Sequence, residues 1–481
     1  MAWHRMSGSQ GSPRSARDGA GSTAVSAQRA CRWLSLAADG VTQLFVHSSS
    51  SLHDYATLVA RTPNVAFSTP QRALLLAEEH DIVCLASPID PDFFAFLEEL
   101  GLGPRRESIV VLADGAPPAA ATSLAQRLLS SRDVLERVGA LVPPERRVVV
   151  SPYVVSEWEV QLVGALSQVL GRPVGLLGGN PGIVDRAYRK HIVKAKAREL
   201  GVPVVDGDVV ALDPPRDGGA ADVTVLREAI ARQRARTGRV LVRGSYGTAA
   251  TSTFIAGPDA ESTDQLLAEI ARRGDNRFYV VEPLVDFVVS PNVQMYVDPF
   301  DGGIECLNIT DQTWHGELRH GGNVFPSRAA MAPEMGAAAA RIAEWMRDCG
   351  YTGIVGFDFV EYLDPLGTAR FFLAEANPRI NGATYPTKVM ERLARLQEGA
   401  ARPAPRAFAT RRVHTRARTF AEFRALHGEI FFNAKTGRGI VPLTPVSAVS
   451  GRVPLMIAGS SRDDVVRAHE TLADLIADRE S

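Results

Sequence analysis

A chain of 481 residues, 45% of them hydrophobic, can bury large cores and divides into about three domains of ~150 residues. Its 53 basic and 54 acidic residues leave a formal net charge of −1, so no global field invites nucleic acid or an anionic membrane. Cys31, Cys84, Cys306 and Cys349 lie far apart and form no CxxC, which argues against a zinc cluster or a disulfide framework and favours a reducing cytoplasm.

Residues 1–30 are rich in Ser, Gly, Ala and Arg, with Asp18 the only acid. No apolar helical face repeats through them, as a transit peptide would require. Arginine outnumbers lysine by 48 to 5, the bias of a GC-rich bacterial genome, where transit peptides have no use. The stretch reads as a disordered leader. No apolar run approaches the ~20 residues that span a bilayer.

From 31 to 184 the pattern is mixed α/β. VTQLFVHS, DIVCLASP, SIVVLADG and RRVVVSPYVV read as strands, with the helices PDFFAFLEELG and WEVQLVGALSQVLG between or after them. Such alternation predicts a parallel sheet with helices packed on it. GLLGGNPG (175–182) is not GxGxxG and reads as a structural turn.

Residues 185–204 read as one basic amphipathic helix, stopped at Gly201 with Pro203 beyond. A polar loop (212–220), a second helix (223–238) and a strand (239–257) follow. Residues 277–362 hold several strands, broken by PFDGG and by the helix GAAAARIAEWMRDCG. The spacing thus predicts a central α+β unit over 185–397. By composition 398–412 is a linker. The remainder, 413–481, reads as a small α/β module with strands near GEIFFNA and VPLMIAG and a closing helix DDVVRAHETLADLI.

Chemistry concentrates in GIVGFDFVEY (353–362) and FFLAEANPRINGATYP (371–386), joined by turn-forming LDPLGTA. If Tyr362 and Phe371 close an antiparallel hairpin, Asp358 faces Glu375 with Cβ atoms ~5 Å apart. Alternation then sets Leu373, Glu375 and Asn377 on one face, and Pro378 holds Asn377 extended. Two carboxylates so placed repel unless a cation or a proton lies between them. Asn377 adds a neutral oxygen. Hard oxygen donors on a stiff hairpin suit Mg²⁺, and the lack of His or Cys argues against zinc. The competing reading is a solvated surface hairpin, for which Phe357, Phe359, Phe371, Phe372 and Leu373 are too apolar.

GYTGIVGFDFVEY followed by FFLAEANPRINGA resembles the metal-binding hairpin of the ATP-grasp superfamily. The resemblance implies an N-terminal pre-ATP-grasp α/β domain, a two-lobed α+β ATP-grasp unit, and ATP-dependent joining of a carboxylate to an amine through an acyl phosphate. It carries Mg²⁺ ligation onto Asp358, Glu375 and Asn377, and contact with the reacting carboxylate or acyl phosphate onto Arg379. Family lysines over the nucleotide phosphates match Lys190, eleven residues before Gly201, with Lys194 one helical turn away. On composition alone this basic helix is a solvated face. The second family lysine is replaced by Arg243, followed by Gly244, Ser245, Gly247 and Thr248, whose N–H groups could approach phosphate oxygens. In RFYVVEPLVDF, Glu282 and the Leu284 backbone match the adenine-reading strand, and Asp286 stands in for a ribose-binding acid. Asn292, Gln294, Arg319 and Asn381 are substrate candidates, with His315 and His320 in the same polar stretch as Arg319.

Domain order, SPNVQ and GRVPLMIAG resemble more narrowly the peptide ligases of pheganomycin-type natural-product biosynthesis. Small-molecule or peptide carboxylates and amines are the implied partners, in a cytoplasmic enzyme for which a homodimer is the common state. A biotin-carboxylase-like reading lacks the expected Gln-Val-Glu-His run after Arg379. A non-catalytic nucleotide-binding regulator would have little use for three metal donors beside Arg379. GxxxxGK[ST], HExxH and GxSxG do not occur.

Overall fold

The computed structural model describes residues 31–52, 54–61, 65–112, 122–213, 221–247, 251–257, 259–316, 319–448 and 450–480. The leader, Thr248, most of the 212–220 loop and the side chains of His315 and Arg319 lie outside the described residues. Among those described, no helix is long and apolar enough to cross a membrane.

Three sheets organise the chain. Strands β1 (Val41–Val46), β2 (Ile82–Leu85), β3 (Ile109–Val111), β4 (Arg147–Pro152) and β5 (Gly175–Leu176) form a parallel sheet in the order β3-β2-β1-β4-β5. Helices cover both faces, which is why these strands are nearly continuous Val, Ile and Leu. The expected strands and the helices Pro91–Glu99 and Glu157–Leu170 are all present.

Strands β6 (Asp208–Ala211), β7 (Val240–Gly244), β8 (Thr253–Ala256) and β9 (Phe278–Pro283) form an antiparallel sheet in the order β6-β9-β7-β8. Leu226 and Ile230 of the helix Thr224–Thr237 and Leu267 and Ile270 of the helix Ala260–Arg273 pack on it. Residues 239–257, expected as one strand, are instead the hairpin β7–β8.

The largest sheet has eight antiparallel strands: β10 (Pro291–Val297), β11 (Ile304–His315), β12 (Arg319–Phe325), β13 (Gly353–Leu363), β14 (Ala369–Asn377), β15 (Ala407–His414), β16 (Gly439–Pro442) and β17 (Arg452–Gly459). Their order is β14-β13-β10-β11-β12-β15-β17-β16. One face carries Val293, Phe357, Phe359, Leu373 and Ala376 against Met335, Ala339, Ile342 and Met346 of the helix Ala332–Asp348. The other face carries the polar row of Asn292, Gln294, Asp358 and Glu375, and beyond it Tyr296, Ile354 and Phe408 pack into a second core.

Three further expectations need correction. Residues 185–204 are two helices, Pro181–Tyr188 and Lys190–Glu199, parted where Arg189 turns extended (φ −73°, ψ 108°). Ala407–Arg412, read as linker from its Ala, Pro and Arg content, begins β15, where cross-strand pairing with β17 overrides composition. GEIFFNA is a short 3-10 turn (Gly428–Ile430) followed by isolated bridges, and the strand lies later, in β16.

Candidate functional site

The site grows from the β13–β14 hairpin. Asp358 pairs with Glu375, as expected, and Gly356 pairs with Asn377, but Tyr362 pairs with Arg370 rather than Phe371. The offset is a β-bulge: Leu373 opposes Phe359 while Glu375 opposes Asp358, leaving Ala374 as the extra residue. The bulge also overturns the single-face expectation. Leu373 turns into the apolar core with Phe357 and Phe359, while Glu375 and Asn377 turn to the polar face.

On that face the rows extend to β10. Asn292 pairs with Asp358 and Gln294 with Gly356, so Asn292, Asp358 and Glu375 stand abreast across three strands. Asn292 Nδ2 donates to Asp358 Oδ1 at 2.5 Å and Asn377 Nδ2 to Asp358 Oδ2 at 3.0 Å. Asn381 Nδ2 donates to Asn292 Oδ1 at 3.3 Å, Gln294 Nε2 donates to Asn381 Oδ1, and Thr384 Oγ1 donates to Gln294 Oε1 at 3.1 Å. All four amide side chains are buried. Asn292, Gln294 and Asn381, expected on substrate, are thus spent on one another and on Asp358. Gly356 makes room for them: a Cβ there would overlap Asn381 Nδ2 and lie 3.0 Å from Asn292 Nδ2.

Two cations balance Glu375. Lys190 Nζ lies 3.2 Å away, and Arg243 pairs with Glu375 while donating to the Ala374 carbonyl at 3.0 Å. Behind them Lys194 pairs with Glu282, itself 3.8 Å from Arg243. Lys190, Lys194, Arg243 and Glu282 are buried, so the solvated-face reading of the basic helix fails. Burial, reinforced for Lys194 by Arg243, lowers the pKa of both lysines. Burial and the charge of Glu375 push Asp358 up to about 7. Burial would also raise Glu375, but Lys190 and Arg243 outweigh it and hold Glu375 at about 2.

Arg379 is sandwiched between aromatic rings. Its guanidinium carbon lies 5.6 Å from the centroid of Tyr153 and 5.8 Å from that of Tyr188. Its Nε donates to the Tyr188 hydroxyl and its Nη2 to Asn377 Oδ1 at 3.0 Å. Tyr153, at the end of β4, and Tyr188 were not foreseen. Gly356 carried a usable signal, since a glycine inside a strand often marks a close approach.

The loop after β7 departs from expectation. The Gly244 N–H donates to the Ser252 carbonyl at 2.7 Å and the Ser245 N–H to the Phe278 carbonyl at 2.8 Å, so strand pairing takes both groups. The Ser245 hydroxyl is 2.6 Å from His191 Nδ1, and the Gly247 carbonyl accepts from Lys190 Nζ at 3.4 Å. The Leu284 N–H, expected at adenine, donates to the Arg239 carbonyl at 2.9 Å. Asp286 is exposed and pairs with Arg239 at 3.1 Å, outside the buried set. His320 lies against the Trp314 ring (centroids 6.2 Å apart).

The donor set fits a hard cation. Asp358 and Glu375 face each other, all donors are oxygen, and no His or Cys joins them. Asn377 differs in one respect: a carboxylate only accepts, so the amide turns its N–H to Asp358 and its oxygen to Arg379. A half-turn about its last bond would present the oxygen.

A family model described as the pre ATP-grasp domain matches residues 70–168. No curated protein sequence matches the chain. Among solved structures the chain is similar to biotin carboxylase from Campylobacter jejuni, at 13% identity and a TM-score of 0.54, over 90% of this chain and 91% of that one. It is also similar to an N5-carboxyaminoimidazole ribonucleotide synthetase in its ADP complex, at 10% identity and a TM-score of 0.52, over 92% and 97%. The corresponding synthase from Aspergillus clavatus, with ADP and 5-aminoimidazole ribonucleotide, matches at 10% identity and 0.51, over 91% and 99%. At these identities the likeness is one of fold: a pre-ATP-grasp region followed by ATP-grasp architecture.

Proposed function

We propose that the protein is an ATP- and Mg²⁺-dependent ligase that joins a carboxylate to an amine through an acyl phosphate. Its product is a peptide or amide bond in natural-product biosynthesis, as in the pheganomycin-type peptide ligases it resembles. The observation that carries this is the row Asn292–Asp358–Glu375, flanked by buried Lys190 and Arg243 and by Arg379 two residues beyond Asn377. A site that gathers two carboxylates and three cations in a low-dielectric setting is built for moving phosphoryl charge.

In this reading Lys190 and Arg243 bind the nucleotide phosphates, exchanging part of their hold on Glu375 for the incoming anion. Asp358, Glu375 and Asn377 hold Mg²⁺, which when bound neutralises charge on the phosphoryl oxygens. Arg379, fixed by Tyr153 and Tyr188, orients the substrate carboxylate and then the acyl phosphate by a planar, two-donor contact. The carboxylate oxygen takes the γ-phosphoryl group from ATP and releases ADP. The neutral amine then attacks the acyl carbon, inorganic phosphate leaves with the acyl C–O electron pair, and the proton lost from the amine nitrogen passes to the departing phosphate.

A carboxylase reading draws on the fold likeness to biotin carboxylase. One experiment separates the two. The protein is incubated with ATP, Mg²⁺, hydroxylamine and pools of amino acids, peptides and other carboxylic acids, and hydroxamates are sought by mass spectrometry. A hydroxamate with ADP supports the ligase. A hydroxamate with AMP indicates adenylation instead, and bicarbonate-dependent ADP release without hydroxamate favours the carboxylase.

A further inference from the structure

Asn377 answers to two charged neighbours at once. It ends β14, and the Arg379 N–H donates back to the Asn377 carbonyl at 2.8 Å, so the backbone fixes one residue against the other. Its side-chain Nδ2 donates to Asp358 Oδ2 at 3.0 Å, and its Oδ1 accepts from Arg379 Nη2 at 3.0 Å. The partners dictate this orientation, because an ionised carboxylate only accepts and a guanidinium only donates. The residue opposite, Gly356, has no side chain, and the last torsion of an asparagine is soft.

Holding a cation between Asp358 and Glu375 needs the other orientation. A half-turn brings Oδ1 against Asp358, where two oxygens repel unless a cation lies between them. The same half-turn brings Nδ2 against Arg379, where two donors meet with no acceptor. Arg379 has no room to retreat. Its guanidinium lies between the Tyr153 and Tyr188 rings, its Nε donates to the Tyr188 hydroxyl, and its Nη1 donates to the Ile380 carbonyl at 3.3 Å. Asn377 and Arg379 are both buried, which raises the cost of each mismatch. The turned amide is thus unsatisfied at both ends. A cation relieves one end and an anion the other.

We propose that Asn377 turns when the site is loaded: its oxygen joins Asp358 and Glu375 on the cation, and its N–H joins Arg379 on the reacting carboxylate. Asn377 is then a substrate-contacting residue as well as a metal ligand. Cation and carboxylate bind cooperatively because one rotation serves both, and by linkage each tightens the other equally. Naming the anion as the reacting carboxylate rests on the ligase reading.

The test measures Mn²⁺ affinity at pH 8 without nucleotide, by electron paramagnetic resonance of the free ion. Mn²⁺ is a hard cation that shares the oxygen ligands of Mg²⁺. Sodium acetate replaces sodium chloride at constant ionic strength, and protein-free controls correct for acetate complexes of the metal. Acetate should tighten Mn²⁺ binding by about fivefold or more, within the usual range of coupling between sites. Arg379→Met should abolish the acetate effect. Asn377→Asp separates rotation from plain charge attraction. A carboxylate there gives one oxygen to the cation and one to Arg379 with no turn. Mn²⁺ should then bind at least as tightly as to the parent, while the acetate effect falls below about twofold. Charge attraction alone would leave that effect intact in Asn377→Asp, a result that overturns the proposal. It is also overturned if acetate leaves Mn²⁺ binding by the parent unchanged, which needs no variant, or if the acetate effect survives Arg379→Met. Absence of Mn²⁺ binding would remove the metal site along with it. Failure of the hydroxylamine trap with the coupling intact would count against the ligase reading and leave the coupling standing.

Discussion

Asp358 and Glu375 face each other across the β13–β14 hairpin, yet their surroundings drive them to opposite ends of the carboxylate range, about 7 and about 2. The asymmetry has a structural source. Lys190 and Arg243 both reach Glu375, whereas Asp358 is met by the neutral amides of Asn292 and Asn377. One carboxylate is committed to the anion and its partner is poised between charge states.

The two amide substitutions should therefore act on stability with opposite sign. Asp358 has a folded pKa above its ordinary 3.8, so its contribution is present below that value and lost as pH rises through about 7. Asp358→Asn removes that loss and should melt at or above the parent at pH 8 without divalent ions. Glu375 has a folded pKa below its ordinary 4.5, so it stabilises above 4.5 and the contribution fades as pH falls toward about 2. Glu375→Gln leaves Lys190 and Arg243 without their counter-charge and should cost about 3–5 kcal/mol at neutral pH. Urea melts at pH 5 and 8 decide it; a Glu375→Gln protein as stable as its parent at pH 8 would detach the cations from Glu375.

Mg²⁺ should raise the melting temperature of the parent protein in the absence of nucleotide. Mass action gives about 2.7 kcal/mol at a hundredfold excess over Kd. Asp358→Asn should lose most of the shift, because one of two facing carboxylates is gone. A full shift in that variant would move the cation elsewhere.

Asp358 opposite Glu375 was legible from the hairpin pattern, although the count assumed Tyr362 opposite Phe371; Tyr362 pairs with Arg370, and the extra residue Ala374 restores the expected pairing at the carboxylates. What escaped were features set by three-dimensional neighbours. The bulge at Ala374 has no marker residue, so the face of Leu373 was misassigned. Lys190 and Lys194 looked like a solvated stripe because their partners, Glu375 and Glu282, lie far along the chain. The break at Arg189 shows neither glycine nor proline. The aromatic clamp on Arg379 joins Tyr153 and Tyr188 from the ends of a strand and a helix that no local pattern connects.

Gly356 should tolerate no side chain. Its position abreast of Asn377 and Gln294 leaves a Cβ in collision with Asn381 and crowding Asn292, the donor to Asp358. Gly356→Ala should cost about 1–3 kcal/mol, the usual penalty for overpacking. Because the strain falls on the amides that orient Asp358, the Mg²⁺-induced thermal shift should shrink as well. Loss of stability with an undiminished Mg²⁺ shift would confine Gly356 to packing.

Tyr188→Phe should separate orientation from stability at Arg379. The substitution deletes the hydroxyl that accepts from Arg379 Nε but keeps the ring 5.8 Å from the guanidinium. Arg379 retains Asn377 Oδ1 at 3.0 Å and the Ile380 carbonyl at 3.3 Å, so it stays buried with partners. The loss in stability should therefore not exceed about 2 kcal/mol, the scale of one hydrogen bond to a charged group. Reaction demands more than burial: small displacements of an orienting group cost rate steeply, on the order of tenfold or more. The expected outcome is a near-parental melt with at least a tenfold lower rate of hydroxamate formation. Tyr153→Phe, which keeps its ring and removes no hydroxyl contact to Arg379, should fall well short of that loss. An equal effect of the two substitutions would show that stacking, not the Tyr188 hydroxyl, sets the guanidinium in place.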